Sequence, residues 1–213
     1  MFSIAIDGPA GSGKSTIAKL LASKLNIEYI DTGAMYRAIA LKCLRLKINT
    51  DEEIKNMLAD TEIDFINGKI YMDSEDVSEL IRTKEISTIA SDISKIAVVR
   101  KKLVEIQQKL ASKKAVVMEG RDIGTVVLKN AKYKFFLTAS IESRAKRRYE
   151  QMLEDGIKID LNSVKEDILA RDYNDEHRKN SPLKMADDAI LLDNSNMTLE
   201  ETLDFMLNVI RGN

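Results

Sequence analysis

The sequence is poor in the residues on which disulfide-bonded and zinc-binding proteins depend. Its 213 residues include one cysteine, Cys43, one histidine, His177, and no tryptophan. A single cysteine excludes an internal disulfide, and one cysteine with one histidine cannot complete a four-ligand zinc site. With 44% hydrophobic residues, the chain is long enough for one domain with a substantial core. We therefore expect a cytoplasmic protein of one domain.

The sequence also lacks an excess of charge and any long apolar run. Its 33 lysines and arginines balance 34 acidic residues, so the net charge is −1. Such a chain has no overall field to attract nucleic acid or an anionic membrane. The first apolar stretch, "MFSIAI", is broken by Asp7 too early for a signal peptide, and no run of about 18 apolar residues occurs. We expect a monomer with neither nucleic-acid nor membrane partners.

Strand and helix patterns alternate along much of the chain. Apolar runs at 2–6, 27–30, 115–119, 133–139 and 189–193 are typical of buried strands, and segments with helical spacing follow them. Strands that alternate with helices predict a parallel α/β sheet. The pairs Thr50 with Glu53 and Thr198 with Glu201 match the capping box that opens a helix. The last helix is expected to end near Gly212.

Two segments depart from this alternation. Around Asn67-Gly68, "EIDFINGKIYMD" alternates apolar and polar residues on both sides of a turn pair that favours a type I′ hairpin. With an additional edge strand in "EDVSELIRT", residues 62–83 predict a small antiparallel insertion. The polar stretch 154–163 lies between two charged helical patterns and predicts a flap over the site.

The residues after the first strand form a phosphate-binding motif. Gly8-Pro9-Ala10-Gly11-Ser12-Gly13-Lys14-Ser15 fits G-x-x-x-x-G-K-[ST], between a predicted strand and a predicted helix. The glycines let backbone N–H groups surround phosphate, Lys14 reaches the outer phosphates, and the Ser15 hydroxyl can bind Mg²⁺. We predict that residues 8–16, which include Thr16, bind ATP together with Mg²⁺.

Arginines follow the ends of other predicted strands. "DTGAMYR" (31–37) and "EGRDIGT" (119–125) each come directly after a strand, where an open α/β sheet binds its ligands. Phosphoryl transfer needs a metal and well-placed cations more than covalent help from the protein. Because guanidinium groups match phosphate geometry, these two segments predict a cleft beside the phosphate loop.

Together with "RDYNDEHRKNSPL" and "ADDAILLD", these motifs resemble the bacterial cytidylate kinases, the nucleoside monophosphate kinases that phosphorylate CMP and dCMP. The resemblance covers essentially the whole chain. It implies a P-loop fold with a core at 1–31 and about 96–213, a monophosphate-binding insertion at about 32–95 with a small antiparallel sheet, and a short lid at about 150–163.

The resemblance also implies which residues hold the acceptor nucleotide. Besides Ala10, these residues are Thr32, Arg37, Ser91, Arg100, Arg121, Asp122, Arg171, Asp175 and Arg178. Family members often have serine at the places of Ala10 and Thr32. We expect Lys14, Arg37, Arg121 and Arg178 to carry the transfer.

The chemistry of cytosine fits part of this set. A carboxylate such as Asp122 can accept from the N4 amino group, while Ser91 and Arg100 donate to N3 and O2. Uracil places a carbonyl where cytosine has N4, a mismatch of about 1–3 kcal/mol in a buried pocket. Asp175 suits a sugar hydroxyl, and Arg37, Arg121 and Arg178 suit the phosphate.

Other functions stay open from the sequence. The chain could be another small-acceptor P-loop kinase of the adenylate or shikimate type, or a nucleotide-dependent switch. Against a GTP-dependent switch, the sequence contains no N-K-x-D base-reading motif. Arg144, Arg147 and Arg148 precede the flap, and one or two of them could fold over the ATP phosphates or simply form a charged helix face.

Overall fold

The core of the structure is a five-stranded parallel β-sheet. The computed structural model describes residues 2–154 and 156–212. The strands of the main sheet are β1 (Ser3–Asp7), β2 (Glu28–Asp31), β6 (Val116–Gly120), β7 (Tyr133–Thr138) and β8 (Ile190–Asp193). They lie in the order β2-β6-β1-β7-β8, and each neighbouring pair is parallel. The predicted α/β frame is confirmed.

Helices cover both faces of this sheet because the strands carry apolar side chains on both faces. The helices are α1 (Lys14–Leu25), α2 (Thr32–Leu46), α3 (Asp51–Ala59), α4 (Lys84–Ile93), α5 (Ala97–Lys113), α6 (Ile141–Glu154), α7 (Leu161–His177) and α8 (Leu199–Arg211). Ile4 and Ile6 of β1 belong to one core cluster, with residues of α1 and α8, and Ala5 belongs to another, with residues of α2 and α5. Successive strand residues point to opposite faces, which explains the nearly continuous apolar runs.

The predicted insertion is a separate three-stranded antiparallel sheet. Its strands are β3 (Ile63–Ile66), β4 (Lys69–Met72) and β5 (Glu75–Asp76). Asn67 and Gly68 have φ values of 53° and 75°, the left-handed conformation that a type I′ turn requires. The hairpin is confirmed, and the edge strand is shorter than "EDVSELIRT" because a 3-10 turn at Leu80–Arg82 follows it.

The predicted helix ends are also present. Thr50 with Glu53 and Thr198 with Glu201 form complete capping boxes at the starts of α3 and α8. Gly212 follows α8 with a φ of 78°, as expected for a left-handed helix end. None of the described helices combines the length and apolar character that crossing a bilayer requires.

The segment after β6 differs from the prediction, which placed a regular helix there. The chain instead makes a single wide π turn at Ile123–Val127 and then leads into β7. The Asp7 carboxylate accepts from the backbone N–H groups of Ile123 and Gly124, at 2.8 and 2.7 Å. These bonds fix the start of the turn against the end of β1.

Three chain segments meet at one edge of the sheet. In the strand register Asp7 lies opposite Gly120, and Asp31 lies opposite Glu119. The phosphate loop, the start of α2 and the Arg121-Asp122 pair therefore begin side by side. The predicted flap at 154–163 and lid at 150–163 fall on the end of α6, the start of α7 and their connection, and Asp155 within them lies outside the described residues.

Candidate active site

The phosphate loop occupies residues 8–13, between β1 and α1. Gly8 has a φ of 149°, and a Cβ atom at this position would lie 2.0 Å from the Leu137 carbonyl oxygen. Only glycine fits there. Helix α1 begins at Lys14, with Ser15 and Thr16 exposed in its first turn. The loop therefore presents a helix N-terminus, with its unpaired N–H groups, to the cleft.

Lys14 is a buried cation within this loop. Its side chain is folded back, so that Nζ donates to the Pro9 carbonyl at 2.6 Å and to Ser12 Oγ at 3.3 Å. Burial lowers the pKa of Lys14, and the neighbouring cations of Arg121 and Arg171 lower it further. Both hydrogen-bond partners are neutral, so an anion that enters the loop is a better partner for this ammonium group.

Four predicted arginines lie close to one another, and two of them, Arg121 and Arg171, act on Lys14 of the loop. Arg37 NH2 lies 2.8 Å from Asp31 Oδ2, and Arg121 Nε donates to Asp175 Oδ2 at 2.7 Å. Arg178 follows α7 and lies 3.8 Å from the same Asp175. Arg171, on α7, completes the set.

Their charges act on one another. The neighbouring chain restricts the hydration of the Arg171 guanidinium and so lowers its pKa to about 10, and the cations of Arg121, Arg37 and Arg148 add to this lowering. Burial alone would raise the pKa of Asp175, but the surrounding arginines hold it below its usual range. The cluster is strongly cationic and suits a polyanion.

A second group of residues forms a buried charged cluster beside the arginines. Asp122 and Arg100 are 6% and 4% exposed, and they form a close ion pair. Arg178 NH2 lies 3.5 Å from the other Asp122 oxygen. Arg100 Nε and Arg178 NH2 are buried but have no hydrogen-bond partner among the described residues. Unpaired buried donors are rare in proteins and often face a ligand.

Tyr36 belongs to the same buried charged cluster and is a residue that the sequence reasoning missed. The Arg100 guanidinium lies 5.7 Å from the centre of its ring. Burial raises the pKa of Tyr36 to about 12, and Arg100, Asp122 and Arg178 all act on it. Ser91 is half-buried on α4, and among the described residues its side chain makes no hydrogen bond with Asp122 or Arg100.

Two predicted contacts are already used within the protein. The Thr32 hydroxyl donates to the Glu119 carbonyl at 2.7 Å, and the Ala10 N–H donates to Asp172 Oδ1 at 3.0 Å. Of the three arginines before the flap, Arg144 pairs with Asp172, and Arg147 donates to Asn194. Only Arg148, which is exposed and donates to Gln151 at 2.9 Å, remains at the surface near Arg171.

Two buried carboxylates at strand ends also escaped the sequence reasoning. Glu119 is the last residue but one of β6, lies beside Lys14, and accepts from the Tyr29 hydroxyl at 2.7 Å. Burial raises the pKa of Glu119, Asp31 adds to this, and Lys14 and Ser15 oppose it. Asp7 holds the π turn that follows Asp122. The sequence signal that could have identified Glu119 and Asp7 is their position at the ends of predicted strands.

The buried Asp7 gives a pH dependence of known sign. Burial raises the pKa of Asp7 to about 6, against the opposing effect of its two backbone hydrogen bonds. Because the folded protein holds this proton more tightly, Asp7 contributes stability below about pH 4 that is lost as the pH rises through 6. The shift corresponds to about 3 kcal/mol. Urea unfolding of the wild type and of Asp7→Asn should show their difference in unfolding free energy falling by about this amount from pH 4 to 7. A difference independent of pH would contradict the assignment.

Comparisons with known proteins point in one direction. The family profile described as cytidylate kinase matches residues 4–212. The cytidylate kinase of Caldicellulosiruptor saccharolyticus is 51% identical over 212 residues, covering 97% of this chain and 94% of that protein. The cytidylate kinase of Thermotoga maritima is 46% identical over 213 residues, covering 99% and 97%.

Solved structures with low sequence identity share the fold. An uncharacterized protein from Eubacterium ventriosum has a TM-score of 0.56 at 14% identity, covering 100% of this chain and 99% of its own. A shikimate kinase from Bacteroides thetaiotaomicron has a TM-score of 0.50 at 12% identity, covering 99% and 98%. At these identities the likeness concerns the fold alone.

Proposed function

The chain belongs to the cytidylate kinase family, and we propose on that basis that it transfers the γ-phosphate of ATP to CMP or dCMP. The products are ADP and CDP or dCDP. The observation that carries the choice of acceptor is the buried Asp122, paired with Arg100 and close to Arg178, next to the cationic cleft. The two guanidinium groups retain unpaired donors, as a pocket for a polar base requires.

The phosphate loop is the proposed ATP site. N–H groups of the loop and of the first turn of α1, over residues 8–16, would surround the phosphates. Lys14 now donates to Pro9 and Ser12, and it would exchange these neutral partners for phosphate oxygens. The positive end of α1 favours the same anion.

The arginine cluster is the proposed site of the acceptor phosphate. Arg37, Arg121 and Arg178 would bind this phosphate and, with Lys14, stabilise the charge that spreads over the transferred group. Arg171 adds positive charge from α7. The acceptor oxygen is already anionic near neutral pH, so the transfer needs alignment and cations but no general base. His177, which is exposed, has no required part.

The buried charged cluster is the proposed cytosine site. Asp122 would accept from the N4 amino group, and Arg100 and Ser91 would donate to N3 and O2. Asp175 would accept from a sugar hydroxyl while it keeps its bond to Arg121. Thr32 lies at the start of α2 beside this site, where its hydroxyl oxygen can still accept a hydrogen bond.

Mg²⁺ fits the donor set at the phosphate loop. Ser15 offers a hydroxyl, and Glu119 offers a buried carboxylate close to it. No cluster of three or more histidine, cysteine, aspartate or glutamate side chains suited to a metal occurs in the described part of the chain. A metal with two protein ligands and phosphate oxygens is the usual arrangement for Mg²⁺ with ATP. When bound, the ion neutralises phosphate charge.

All residues of the proposed site come from one chain, so we propose that a monomer is sufficient for the reaction. We also propose that the protein acts on nucleotides in the cytoplasm. An adenylate-type or shikimate-type kinase shares the phosphate loop, but neither needs a carboxylate paired with two buried arginines to accept from N4. A nucleotide-dependent switch would need no second site for an acceptor phosphate.

The acceptor panel tests this proposal. ADP release from ATP is measured with CMP, dCMP, UMP, AMP, GMP and shikimate, each with and without Mg²⁺. We expect rapid, Mg²⁺-dependent release with CMP and dCMP. With UMP, kcat/KM should be about ten-fold to a hundred-fold lower, because Asp122 would face a carbonyl oxygen. ADP release that does not depend on the acceptor would instead indicate a switch, and a preference for AMP or shikimate would indicate another kinase.

A further inference from the structure

Two buried side chains hold one peptide group of the phosphate loop. Asp172, on α7, accepts from the Ala10 N–H through Oδ1 at 3.0 Å. Arg144, on α6, donates from NH1 to the Ala10 carbonyl, also at 3.0 Å. The same NH1 group forms a close ion pair with Asp172 Oδ2. Each of the three residues is 8% exposed, so both polar atoms of Ala10 are satisfied by charged groups rather than by water.

Packing joins the same parts of the molecule. The Ala10 side chain lies in a small hydrophobic cluster with Ala145 of α6 and with Val164 and Ile168 of α7. A Cβ atom on Gly11 would lie 3.0 Å from the Arg144 carbonyl oxygen, so the loop backbone lies directly against α6. The ends of these two helices border the predicted lid. Ala10 of the phosphate loop is thus packed into the interface between α6 and α7.

We infer that Arg144 and Asp172 are positioning residues for the phosphate donor. By fixing the Ala10 peptide against α6 and α7, they hold the following residues of the loop with their N–H groups directed to the ATP phosphates. This inference rests on the proposed function of the loop. For Arg144 this role differs from a direct contact with the ATP phosphates, because its guanidinium donates to Ala10, Ala139 and Asp172.

A pair of neutral double variants separates positioning from folding. A buried ion pair can often be replaced by uncharged groups without loss of stability, whereas removal of one partner leaves an isolated buried charge. We therefore compare R144M/D172L with R144M/D172N. Both lack the ion pair, but only the asparagine side chain of the second variant could still accept from the Ala10 N–H.

The expected result is a change specific to ATP. KM for ATP should rise about tenfold in R144M/D172L and about threefold in R144M/D172N, while KM for CMP changes less than twofold. Tenfold lies within what two hydrogen bonds to one peptide contribute. A merely structural pair would lower the active fraction and therefore kcat, and it would leave KM unchanged. Thermal unfolding by circular dichroism verifies that each variant is folded.

The chain provides a matched control between the same two helices. Lys165 of α7 lies 2.9 Å from Glu142 of α6 at the surface, with the side chains 40% and 70% exposed. The double variant E142Q/K165M removes this pair without touching the loop, and its KM for ATP should stay within twofold of wild type.

Three outcomes would overturn the inference. They are an unchanged KM for ATP in folded R144M/D172L, an equal rise for CMP and ATP, and an equal effect in the control. If R144M/D172L does not fold, an unchanged KM for ATP in R144M/D172N would overturn the inference instead. Calorimetric titration of Mg·ATP into each protein gives a binding constant that needs no acceptor. A wild type that binds Mg·ATP but does not phosphorylate CMP would therefore contradict the proposed function, while the binding constants of the variants still decide the inference.

Discussion

Replacing Arg121 with methionine is expected to lower kcat/KM for CMP by about 10³-fold, the scale on which a single well-placed arginine acts in phosphoryl transfer. Arg121 follows β6 and is fixed by Asp175 at 2.7 Å and by the Gly120 carbonyl at 3.2 Å. Burial alone would lower the pKa of Arg121, but the Asp175 carboxylate outweighs this effect and raises that pKa above its usual value. The group is therefore a permanent cation held beside Lys14 of the phosphate loop.

The assay is steady-state ADP release at varied CMP with saturating Mg·ATP. Methionine keeps an unbranched apolar side chain in place of the arginine stem and removes its charge and donors. Arg121→Lys serves as a second variant, because an ammonium group cannot bond Asp175 and phosphate with the same fork geometry. It should recover only part of the loss.

Arg45→Met is the matched control for this substitution. Arg45 forms two hydrogen bonds with Glu75, at 2.5 and 2.9 Å, on the exposed surface of the insertion. Removal of such an exposed pair should change kcat/KM less than twofold. A loss smaller than tenfold in Arg121→Met would contradict a role for Arg121 in the transfer.

Replacing Asp122 with asparagine should narrow the preference for CMP over UMP. Asparagine can turn its NH₂ group toward the uracil O4 atom, so the mismatch of about 1–3 kcal/mol disappears. The ratio of the two kcat/KM values should then fall from about ten-fold to a hundred-fold toward one. Because Arg100 and Arg178 would also lose their shared counter-charge, kcat/KM for CMP itself should fall about a hundred-fold.

The ratio is the decisive measurement, since a partly unfolded sample lowers both activities equally. Asp76→Asn, which removes an exposed pair with Lys69 in the insertion, should leave both the ratio and the activity near wild type. An unchanged ratio in Asp122→Asn would show that another group reads the base.

Local sequence patterns were enough for most of the frame. The strands, both capping boxes, the Asn67-Gly68 hairpin and the helix end at Gly212 follow from side-chain periodicity and from turn chemistry within a few residues. The same local chemistry identified the phosphate loop. The π turn at Ile123–Val127 was missed because the carboxylate that holds it, Asp7, is more than 100 residues away in the chain.

The candidate site shows the same division. Motif resemblance indicated Arg37, Arg121, Asp122, Asp175 and Arg178, and the structure brings their side chains to one edge of the sheet. The motif resemblance could not indicate that Arg121 pairs with Asp175, or that the Arg100 guanidinium lies near the Tyr36 ring. Such pairings depend on the direction of each side chain after the elements have packed.

The sequence by itself determined the kind of protein this is. The phosphate loop, the motifs that follow predicted strands and the hairpin each depend on residues that are close together in the chain. Only the tertiary structure decided which partner each charged and polar group has within the protein. Arg144 and Arg147 are bonded to Asp172 and Asn194, and the Ala10 N–H is bonded to Asp172 as well. Most buried polar groups have a partner, and packing between segments far apart in the chain decides which partner it is.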